Sequence, residues 1–325
     1  MAIAISGITW ILSYRCNLNC EHCFFDVNGP LHVLDHVLAK KALVSLEQPL
    51  PLAWQHVSGG EPFLFENELH RLLEVIQEYG TKTVGIATNG FWGDSPQRAQ
   101  QTVEQLKQRG VNGVCISADS YHQKHIPLSH VRTAAEQVFA QNLGKHSFVV
   151  SCYPAEDERP ITSESFAIPP ASIPVRKIGK GGSPAKGPGP LREEQIPNSP
   201  CRNLCCCLGE ASPFEPRMVW IDPYGNVMIC YGLIIGNLRE HSLGEILKSY
   251  SIHQSPLLET LAEQGPIGLY RIALKRGWQP EGSFADECDL CCQARYALRG
   301  DYVDTLGPDE CYPDFVDSGH PDGER

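Results

Sequence analysis

The chain has 325 residues, which corresponds to about two domains, and 42% of them are hydrophobic and 20% charged. This composition supports a buried core and excludes global disorder, while a net charge of −11 argues against nucleic-acid binding, which needs clustered Lys and Arg. No apolar run reaches membrane-span length and residues 1–12 lack a basic secretory signal, so we expect a cytoplasmic protein without membrane contact.

Strands and helices alternate over residues 8–152. The predicted strands are Ile8–Ser13, Trp54–Ser58, Thr83–Ala87, Gly113–Ser117 and His146–Cys152. The predicted helices are Asp35–Leu46, Glu66–Tyr79, Ser95–Arg109 and Ser129–Gln141, the last two with serine N-caps. This alternation predicts βαβ units, and therefore a parallel sheet covered by helices.

A segment rich in Pro and Gly follows. Half of residues 169–190 are Pro or Gly, which excludes a regular helix. We expect one short edge strand at Pro174–Ile178 and then a linker. Residues 176–192 contain five Lys or Arg residues, among them Lys180, and no acidic residue. This segment is either a solvated linker or a basic lip for an anionic group.

A second unit begins near residue 191. Met218–Asp222 and Asn226–Tyr231 flank Pro223-Tyr224-Gly225, which predicts a β-hairpin. Short helices are predicted at Ser242–Tyr250, Pro256–Glu263 and Ala285–Leu298. We therefore expect domains over residues 1–190 and 191–312, with a mobile acidic tail over 313–325.

Cysteine is the unusual residue. There are 14, and a reducing compartment disfavours disulfides, so metal or redox chemistry is the leading interpretation. Three cysteines lie together at Cys16, Cys20 and Cys23, and nine fall between Cys201 and Cys311. Two separated groups of thiols predict two separated sites.

The first group reads Cys16-x3-Cys20-x2-Cys23 and directly follows the first strand. Structural zinc requires four ligands, whereas three thiolates on a four-iron cluster leave one iron open to bind a ligand. A loop after a parallel strand is also where such sheets carry function. A zinc site with a distant fourth ligand is the alternative.

Together with Gly59-Gly60-Glu61-Pro62 after the second strand, this motif resembles the radical S-adenosylmethionine (SAM) superfamily over roughly residues 8–178. The resemblance implies an α/β fold, a partial (β/α)6 TIM-like barrel of parallel strands. It also implies a 4Fe–4S cluster on Cys16, Cys20 and Cys23 whose open iron binds SAM. Reductive cleavage of SAM then yields a 5′-deoxyadenosyl radical that abstracts hydrogen from substrate.

The resemblance also implies contacts to SAM from the ends of the first four strands. Glycines allow close backbone approach, and Glu61 or nearby carbonyls are expected to accept from the methionine ammonium. His22 stands where the family usually has an aromatic residue against adenine. The implied cofactor-binding residues are His22, Gly59, Gly60, Glu61, Pro62, Thr88, Asn89, Ser117 and Asp119.

The second thiol group resembles an auxiliary-cluster domain called SPASM, or its shorter form, twitch. The pattern is a cysteine, a spacer, Gly225-x4-Cys230, a gap, and then Cys288-x2-Cys291. It implies a small α+β domain with a hairpin and one auxiliary 4Fe–4S cluster on Cys207, Cys230, Cys288 and Cys291. Cys201, Cys205 and Cys206 remain alternatives to Cys207 as first ligand, and the roles of Cys292 and Cys311 stay open.

Thiols beyond those four ligands are either inert or supply a hydrogen atom to a substrate radical. Cys206 and Cys292 are the first candidates for this donor. Asp119 and His122, at the end of the fourth strand, are candidate substrate or acid–base residues. Cys115 and Cys152 lie within strands and are predicted to be core residues.

The expected activity is hydrogen abstraction from an unactivated C–H bond. The expected substrate is a peptide, which is epimerised, oxidised or cross-linked, with a flavodoxin- or ferredoxin-type protein as electron donor. A small aminosugar-like molecule is the alternative, favoured by the absence of a peptide-recognition domain before the first strand. A non-catalytic iron–sulfur or zinc protein is a more distant alternative, since Gly59-Gly60-Glu61-Pro62 has no use there.

Overall fold

We describe the protein from a computed structural model, which defines residues 3–46, 52–153, 166–175, 178–182, 195–202, 204, 212–280 and 284–313. Cys205, Cys206 and Cys207, most of the predicted linker, and the tail from residue 314 lie outside these described residues. Within the described ranges, no helix has both the length and the apolar character needed to cross a membrane.

The N-terminal half forms six parallel strands in chain order. They are β1 (Gly7–Ile11), β2 (Trp54–Ser58), β3 (Thr83–Thr88), β4 (Gly113–Ser117), β5 (Phe148–Tyr153) and β6 (Pro170–Pro174). Each strand pairs in parallel with the one before it, so all six carboxyl ends lie at one edge of an open sheet. The predicted partial barrel of parallel strands is confirmed.

Four helices connect the first five strands. They are α1 (His36–Val44), α2 (Glu66–Tyr79), α3 (Pro96–Gln108) and α4 (Leu128–Ala140). The helix α2 buries leucine, valine and isoleucine side chains at helical spacing, which are Leu69, Leu72, Leu73, Val75 and Ile76.

The helix caps follow the sequence in one case and depart from it in another. The Ser95 side chain caps α3 by accepting from the Arg98 amide. The predicted serine cap of α4 is wrong, because α4 begins at Leu128 and its N-cap is Pro127, two residues before Ser129.

The position of the last parallel strand differs from the prediction. Strand β6 occupies Pro170–Pro174 and pairs with β5 from Val149 to Tyr153, rather than occupying Pro174–Ile178. Proline at both ends suits a strand at the end of the sheet order, because proline has no amide to donate. Ile178 lies outside the sheet and is buried.

The predicted hairpin is present, and it extends the same sheet. Strand β7 (Met218–Ile221) pairs in parallel with β1, and β8 (Asn226–Cys230) and β9 (Leu233–Asn237) follow antiparallel. The sheet order is β6-β5-β4-β3-β2-β1-β7-β8-β9. The predicted two domains therefore share one sheet, and β9 was not anticipated.

Four helices complete the C-terminal half. They are α5 (Leu243–Ser249), α6 (Pro256–Glu263), α7 (Pro266–Lys275) and α8 (Glu287–Leu298). Ser242 forms a capping box with Glu245 at the start of α5. The helix α7 was not predicted; it begins directly after Gly265, with Pro266 in its first turn.

Candidate active site and metal centres

The N-terminal cysteine loop, residues 16–23, lies at the carboxyl edge of the parallel strands. The chain leaves β1 at Ile11 and runs beside the segment that follows β2. Three backbone hydrogen bonds join the two segments, from Leu12 to Ser58 (3.0 Å), from Gly60 to Ser13 (2.7 Å) and from Glu61 to Arg15 (3.0 Å). The two predicted motifs are thus fastened to each other by their own backbones.

The two glycines make this approach possible. A Cβ on Gly60 would lie 1.9 Å from the Arg15 carbonyl oxygen, and one on Gly59, whose φ is +125°, would lie 2.4 Å from that of Ser13. The sequence explained these glycines by close approach to a ligand. In the structure, glycine is required at these positions because the backbone of the residues immediately before Cys16 comes too close for a side chain.

Glu61 braces the ends of β2 and β3. Its buried carboxylate accepts from the Phe63 amide (3.2 Å) and the Thr88 hydroxyl (2.9 Å) through Oε1, and from the Asn89 amide (2.7 Å) through Oε2. Burial raises the pKa of Glu61 to about 7. Pro62 is buried in the short turn that follows. Contact between Glu61 and a methionine ammonium stays a prediction, since three donors already use this carboxylate.

Asn89 connects Glu61 to the cysteine loop. Its Nδ2 donates to Asn17 Oδ1 (2.8 Å) and lies 3.9 Å from Cys16 Sγ. Thr88 also accepts from the indole of Trp92 (3.1 Å). The predicted polar residues after β3 therefore adjoin the cysteine loop.

The three N-terminal thiols form one group suited to a metal cluster. Cys20 is buried, and Cys16 and Cys23 are partly buried. Burial, together with charge repulsion from Cys23, raises the pKa of Cys16 and of Cys20 to about 12. A metal binds the thiolate form, so a bound metal would keep these thiols deprotonated despite their raised pKa values. The donor set, three thiolates in one short loop, fits an iron–sulfur cluster with an open position.

The basic residue Lys180 contacts this loop. The Lys180 amide donates to the Cys23 carbonyl oxygen (3.0 Å), and its ammonium donates to Asn19 Oδ1. The ammonium charge also lowers the pKa of Cys20 and Cys23, against the larger effect of burial. Of residues 176–192 the structure describes only 178–182, so the choice between a solvated linker and a basic lip stays a prediction.

Asp119 organises the polar group beyond β4. Its Oδ1 lies 2.8 Å from His122 Nδ1 and accepts from the Tyr121 and His122 amides, while Oδ2 accepts from the Cys152 amide (3.3 Å). Burial alone raises the pKa of Asp119, but the hydrogen bond and charge of His122 hold it below the usual range. Ser117, the last residue of β4, is half-buried.

His22 lies against this group. Its ring stacks on Tyr121 with centroids 4.4 Å apart, and its Nε2 lies 3.9 Å from Asp119 Oδ2. The buried Nδ1 has no hydrogen-bond partner, and burial lowers the pKa of His22 to about 4. A neutral, buried aromatic ring next to Cys23 is suited to contact another planar ring.

Cys152 was not among the site residues predicted from the sequence. It was predicted to be core, but it is only partly buried at the end of β5, and Cys115 is also only partly buried. The ligand atoms of Cys152, His22 and Asp119 lie within 4.8 Å of one another. The available signal was its position near the carboxyl end of a parallel strand, where function collects in this class of fold.

The C-terminal cysteine group comprises the described thiols Cys201, Cys230, Cys288, Cys291 and Cys292. Cys230 ends β8, and α8 carries Cys288, Cys291 and Cys292 at positions i, i+3 and i+4, which share one helix face. Burial raises the pKa of Cys291 to about 12, with further repulsion from Cys201 and Cys230. The predicted ligands Cys230 and Cys291 are therefore neighbours.

The first ligand of this group has a described candidate. Cys201 is partly exposed and lies within electrostatic range of Cys291. Cys207, the predicted first ligand, lies outside the described residues. Cys201 was one of the alternatives named for this position.

Of the two predicted hydrogen donors, Cys206 and Cys292, the structure describes only Cys292. Cys206 lies outside the described residues. Cys292 is 2% exposed and packs in the hydrophobic core, where the Gly179 amide donates to its sulfur. A donor role for Cys292 stays a prediction, and burial gives it no opening to solvent among the described residues.

The hairpin turn links the two cysteine regions. Gly225 adopts φ +86°, as the predicted tight turn requires. Asp222 Oδ1 accepts from the Tyr224 and Asn226 amides (both 2.9 Å), and Oδ2 accepts from the Tyr14 hydroxyl (3.1 Å). Tyr14 lies two residues before Cys16, so one buried carboxylate ties the N-terminal loop to the hairpin that ends at Cys230.

Both known families and curated proteins include sequences similar to this chain. Residues 10–145 match the family model described as Radical SAM superfamily. A putative peptide biosynthesis protein, YydG of Bacillus subtilis, is 28% identical over 127 residues, which are 38% of this chain and 39% of YydG. The chain thus matches about two fifths of this relative's length.

Solved structures share the fold over most of the chain. Streptococcus suis SuiB bound to precursor peptide SuiA has a TM-score of 0.56 and 14% identity, over 90% of this chain and 77% of SuiB. The enzyme anSMEcpe with bound AdoMet has a TM-score of 0.52 and 14% identity, over 91% of this chain and 96% of that one. At these identities the likeness concerns the fold alone.

Proposed function

We propose that the chain, whose residues 10–145 match the Radical SAM superfamily, is a peptide-modifying enzyme of that superfamily. The observation that carries the proposal is the N-terminal cysteine loop, with three thiols at the carboxyl edge of a parallel sheet, next to His22 and Asp119. When bound there, a 4Fe–4S cluster and SAM supply a 5′-deoxyadenosyl radical that removes a hydrogen atom from the substrate.

The surrounding residues have distinct tasks in this proposal. Gly59 and Gly60 set the position of the loop, and the Glu61 brace fixes Asn89 beside Cys16. His22 offers a neutral ring for the adenine, and Asp119 and Ser117 offer acceptors for the ribose or methionine groups of SAM. In this proposal the described residues hold and orient SAM.

The C-terminal cysteine group is proposed to hold one auxiliary 4Fe–4S cluster. We infer Cys201, Cys230, Cys288 and Cys291 as its ligands, with Cys207 as the alternative to Cys201. Thiolates are the usual ligands of such clusters, and the effect of Cys201 and Cys230 on the pKa of Cys291 supports their proximity. A buried positive charge beside these thiols, Arg295, also fits an anionic cluster.

The peptide substrate is supported by two similarities. YydG is a putative peptide biosynthesis protein, and SuiB, which shares the fold, is bound to its precursor peptide. We propose that epimerisation, oxidation or cross-linking of a peptide residue follows hydrogen abstraction. An electron donor of the flavodoxin or ferredoxin class completes the system.

Within this function we favour epimerisation, with a thiol as hydrogen donor. The donor S–H bond breaks, a new C–H bond forms on the substrate radical, and a thiyl radical remains on sulfur. One electron from the flavodoxin- or ferredoxin-class donor and one proton from solvent restore the thiol. Among the described thiols outside the proposed ligand sets, Cys152 is the best candidate, because it lies within 4.8 Å of His22 and Asp119.

The test uses anaerobically reconstituted, reduced protein with SAM and synthetic candidate peptides taken from small open reading frames next to its gene. The expected products are 5′-deoxyadenosine and a peptide of unchanged composition that gains one deuterium in deuterated water, because a thiol exchanges its proton with solvent. Cys152→Ala should keep iron and SAM cleavage but lose the deuterated product. Cys292→Ala and Cys206→Ala are the matched thiol controls.

The outcomes separate the alternatives. A peptide two hydrogens lighter, with no deuterium gained, would replace epimerisation by oxidation or cross-linking. Loss of the deuterated product in Cys206→Ala or Cys292→Ala alone would move the donor role to that thiol. An absence of 5′-deoxyadenosine in fully loaded, reduced protein would contradict the proposed function as a whole.

A further inference from the structure

Arg295 is a buried cation without an anionic partner among the described residues. It lies in the last turn of α8 and is 2% exposed. Its Nη1 donates to the Tyr231 carbonyl oxygen (2.6 Å), its guanidinium lies 5.7 Å from the centre of the Tyr312 ring, and its Nε has no partner. The ion pairs formed by described Lys and Arg residues do not include it.

Such an arrangement is costly in isolation. Removing a charge from water costs several kcal/mol unless an opposite charge and hydrogen bonds compensate. One carbonyl and one aromatic face offset only part of that cost. A negative charge close to Arg295 would balance it.

Cysteines share the helix face that carries Arg295. Arg295 follows Cys288, Cys291 and Cys292 by seven, four and three residues, so all four lie on one face of α8. Its hydrogen-bond acceptor, Tyr231, directly follows Cys230. Burial alone lowers the pKa of Arg295, and Tyr312, Cys291, Cys230 and Cys292 raise it well above its usual range.

We propose that Arg295 is the counter-ion of the auxiliary cluster and thereby a positioning residue that sets its reduction potential. The proposal rests on the proposed function, in which the C-terminal cysteine group holds that cluster. A four-iron cluster held by four thiolates is anionic, and reduction adds one more negative charge. A fixed positive charge in a buried site therefore favours the reduced state.

The first experiment measures the auxiliary cluster alone. In a Cys16→Ala/Cys20→Ala/Cys23→Ala background, an EPR-monitored redox titration compares Arg295, Arg295→Lys and Arg295→Met. Arg295→Met should lower the reduced-to-oxidised ratio at a fixed potential about tenfold, equivalent to 59 mV for a one-electron couple. Arg295→Lys should retain most of the potential because it retains the charge.

Arg299→Met is the matched control. Arg299 follows α8 directly, and its guanidinium also lies over the Tyr312 ring, at 5.9 Å, but it pairs with Asp309 at 3.4 Å. Its replacement should leave the potential unchanged. Equal potentials for Arg295→Met and the unsubstituted background, at equal iron content, would overturn the proposal.

The second experiment compares thermal unfolding with and without iron. With iron bound, Arg295→Met should unfold at a lower temperature than the same chain with Arg295. After chelation the order should reverse or vanish, because Arg295 is then an unbalanced buried charge. The same loss of stability in both states would assign Arg295 a purely structural role.

This pair of experiments separates the two proposals. Iron-free protein in the triple-alanine background, although folded and reconstituted, would show that the C-terminal cysteine group holds no cluster, and the proposed function fails there. Iron present with an unchanged potential in Arg295→Met would leave the cluster standing and remove only the counter-ion.

Discussion

The N-terminal cysteine loop gathers three thiols within residues 16–23, whereas the C-terminal cysteine group draws its thiols from a segment before β7, the end of β8 and α8. The first lies at the open edge of the sheet, among groups suited to a ligand. The second shares helix α8 with the buried Arg295. Under the proposed function, the first site would leave one position open for SAM, whereas protein thiols alone would hold the second cluster.

The largest expected effect comes from emptying the N-terminal site. Cys16→Ala/Cys20→Ala/Cys23→Ala should lose about half of the iron, about four of eight atoms for two four-iron clusters, and all 5′-deoxyadenosine formation. Iron analysis and product chromatography on anaerobic protein measure both. Stoichiometric zinc in such protein would favour the structural alternative.

The matched variant empties the other site. Cys230→Ala/Cys291→Ala should lose a similar amount of iron but retain SAM cleavage, because the N-terminal loop does not use these thiols. Cleavage lost in both variants would show that the two regions form one functional unit rather than two.

A smaller but still severe effect is expected from Gly60→Val. A Cβ at Gly60 would lie 1.9 Å from the Arg15 carbonyl oxygen, so the segment before Cys16 must shift, at a cost of roughly 3 kcal/mol or more. We expect loss of N-terminal iron and a lower unfolding temperature. Gly300→Ala is the control, since no atom lies within 4 Å of its added Cβ. N-terminal iron retained at wild-type stability would contradict the packing requirement.

An intermediate effect is expected at the link between the regions. Burial raises the pKa of Asp222 to about 6, above the roughly 3.9 of an unfolded Asp. The folded chain therefore holds a proton that the unfolded chain releases, and the free energy of unfolding falls as pH rises from about 4 to 6. The full effect is roughly 2–3 kcal/mol.

Asp222→Asn should flatten that pH dependence. Urea unfolding of the iron-free protein across this range measures it, with the exposed Asp304→Asn as control. A slope that Asp222→Asn leaves unchanged would mean that another group titrates.

The smallest effect is expected at Lys180. Its ammonium lies near Cys20 and Cys23 and donates to Asn19, so Lys180→Gln should lower the potential of the N-terminal cluster by up to about 59 mV, a tenfold change in ratio. Lys180→Arg keeps the charge and should therefore retain most of the wild-type reduction potential. EPR-monitored titration of the Cys230→Ala/Cys291→Ala background isolates this signal, and an unchanged potential would restrict Lys180 to its backbone contact with Cys23.

The sequence predicted what is local. Helix α2 has the predicted limits, and the two motifs of the N-terminal site lie together as expected, because hydrophobic periodicity and short spacings are readable within one segment. Contacts between distant segments could not be predicted from the sequence. The pairing of β7 with β1, the position of Cys152 and the burial of Arg295 each depend on partners far along the chain.

The most direct test of the two-site account is EPR spectroscopy of the reduced protein before and after addition of SAM. The account predicts that SAM changes the signal of the wild type and of Cys230→Ala/Cys291→Ala, because both keep the N-terminal cysteine loop. It predicts no change in Cys16→Ala/Cys20→Ala/Cys23→Ala, whose remaining cluster has four protein ligands. A SAM-dependent change in that triple variant would contradict the account.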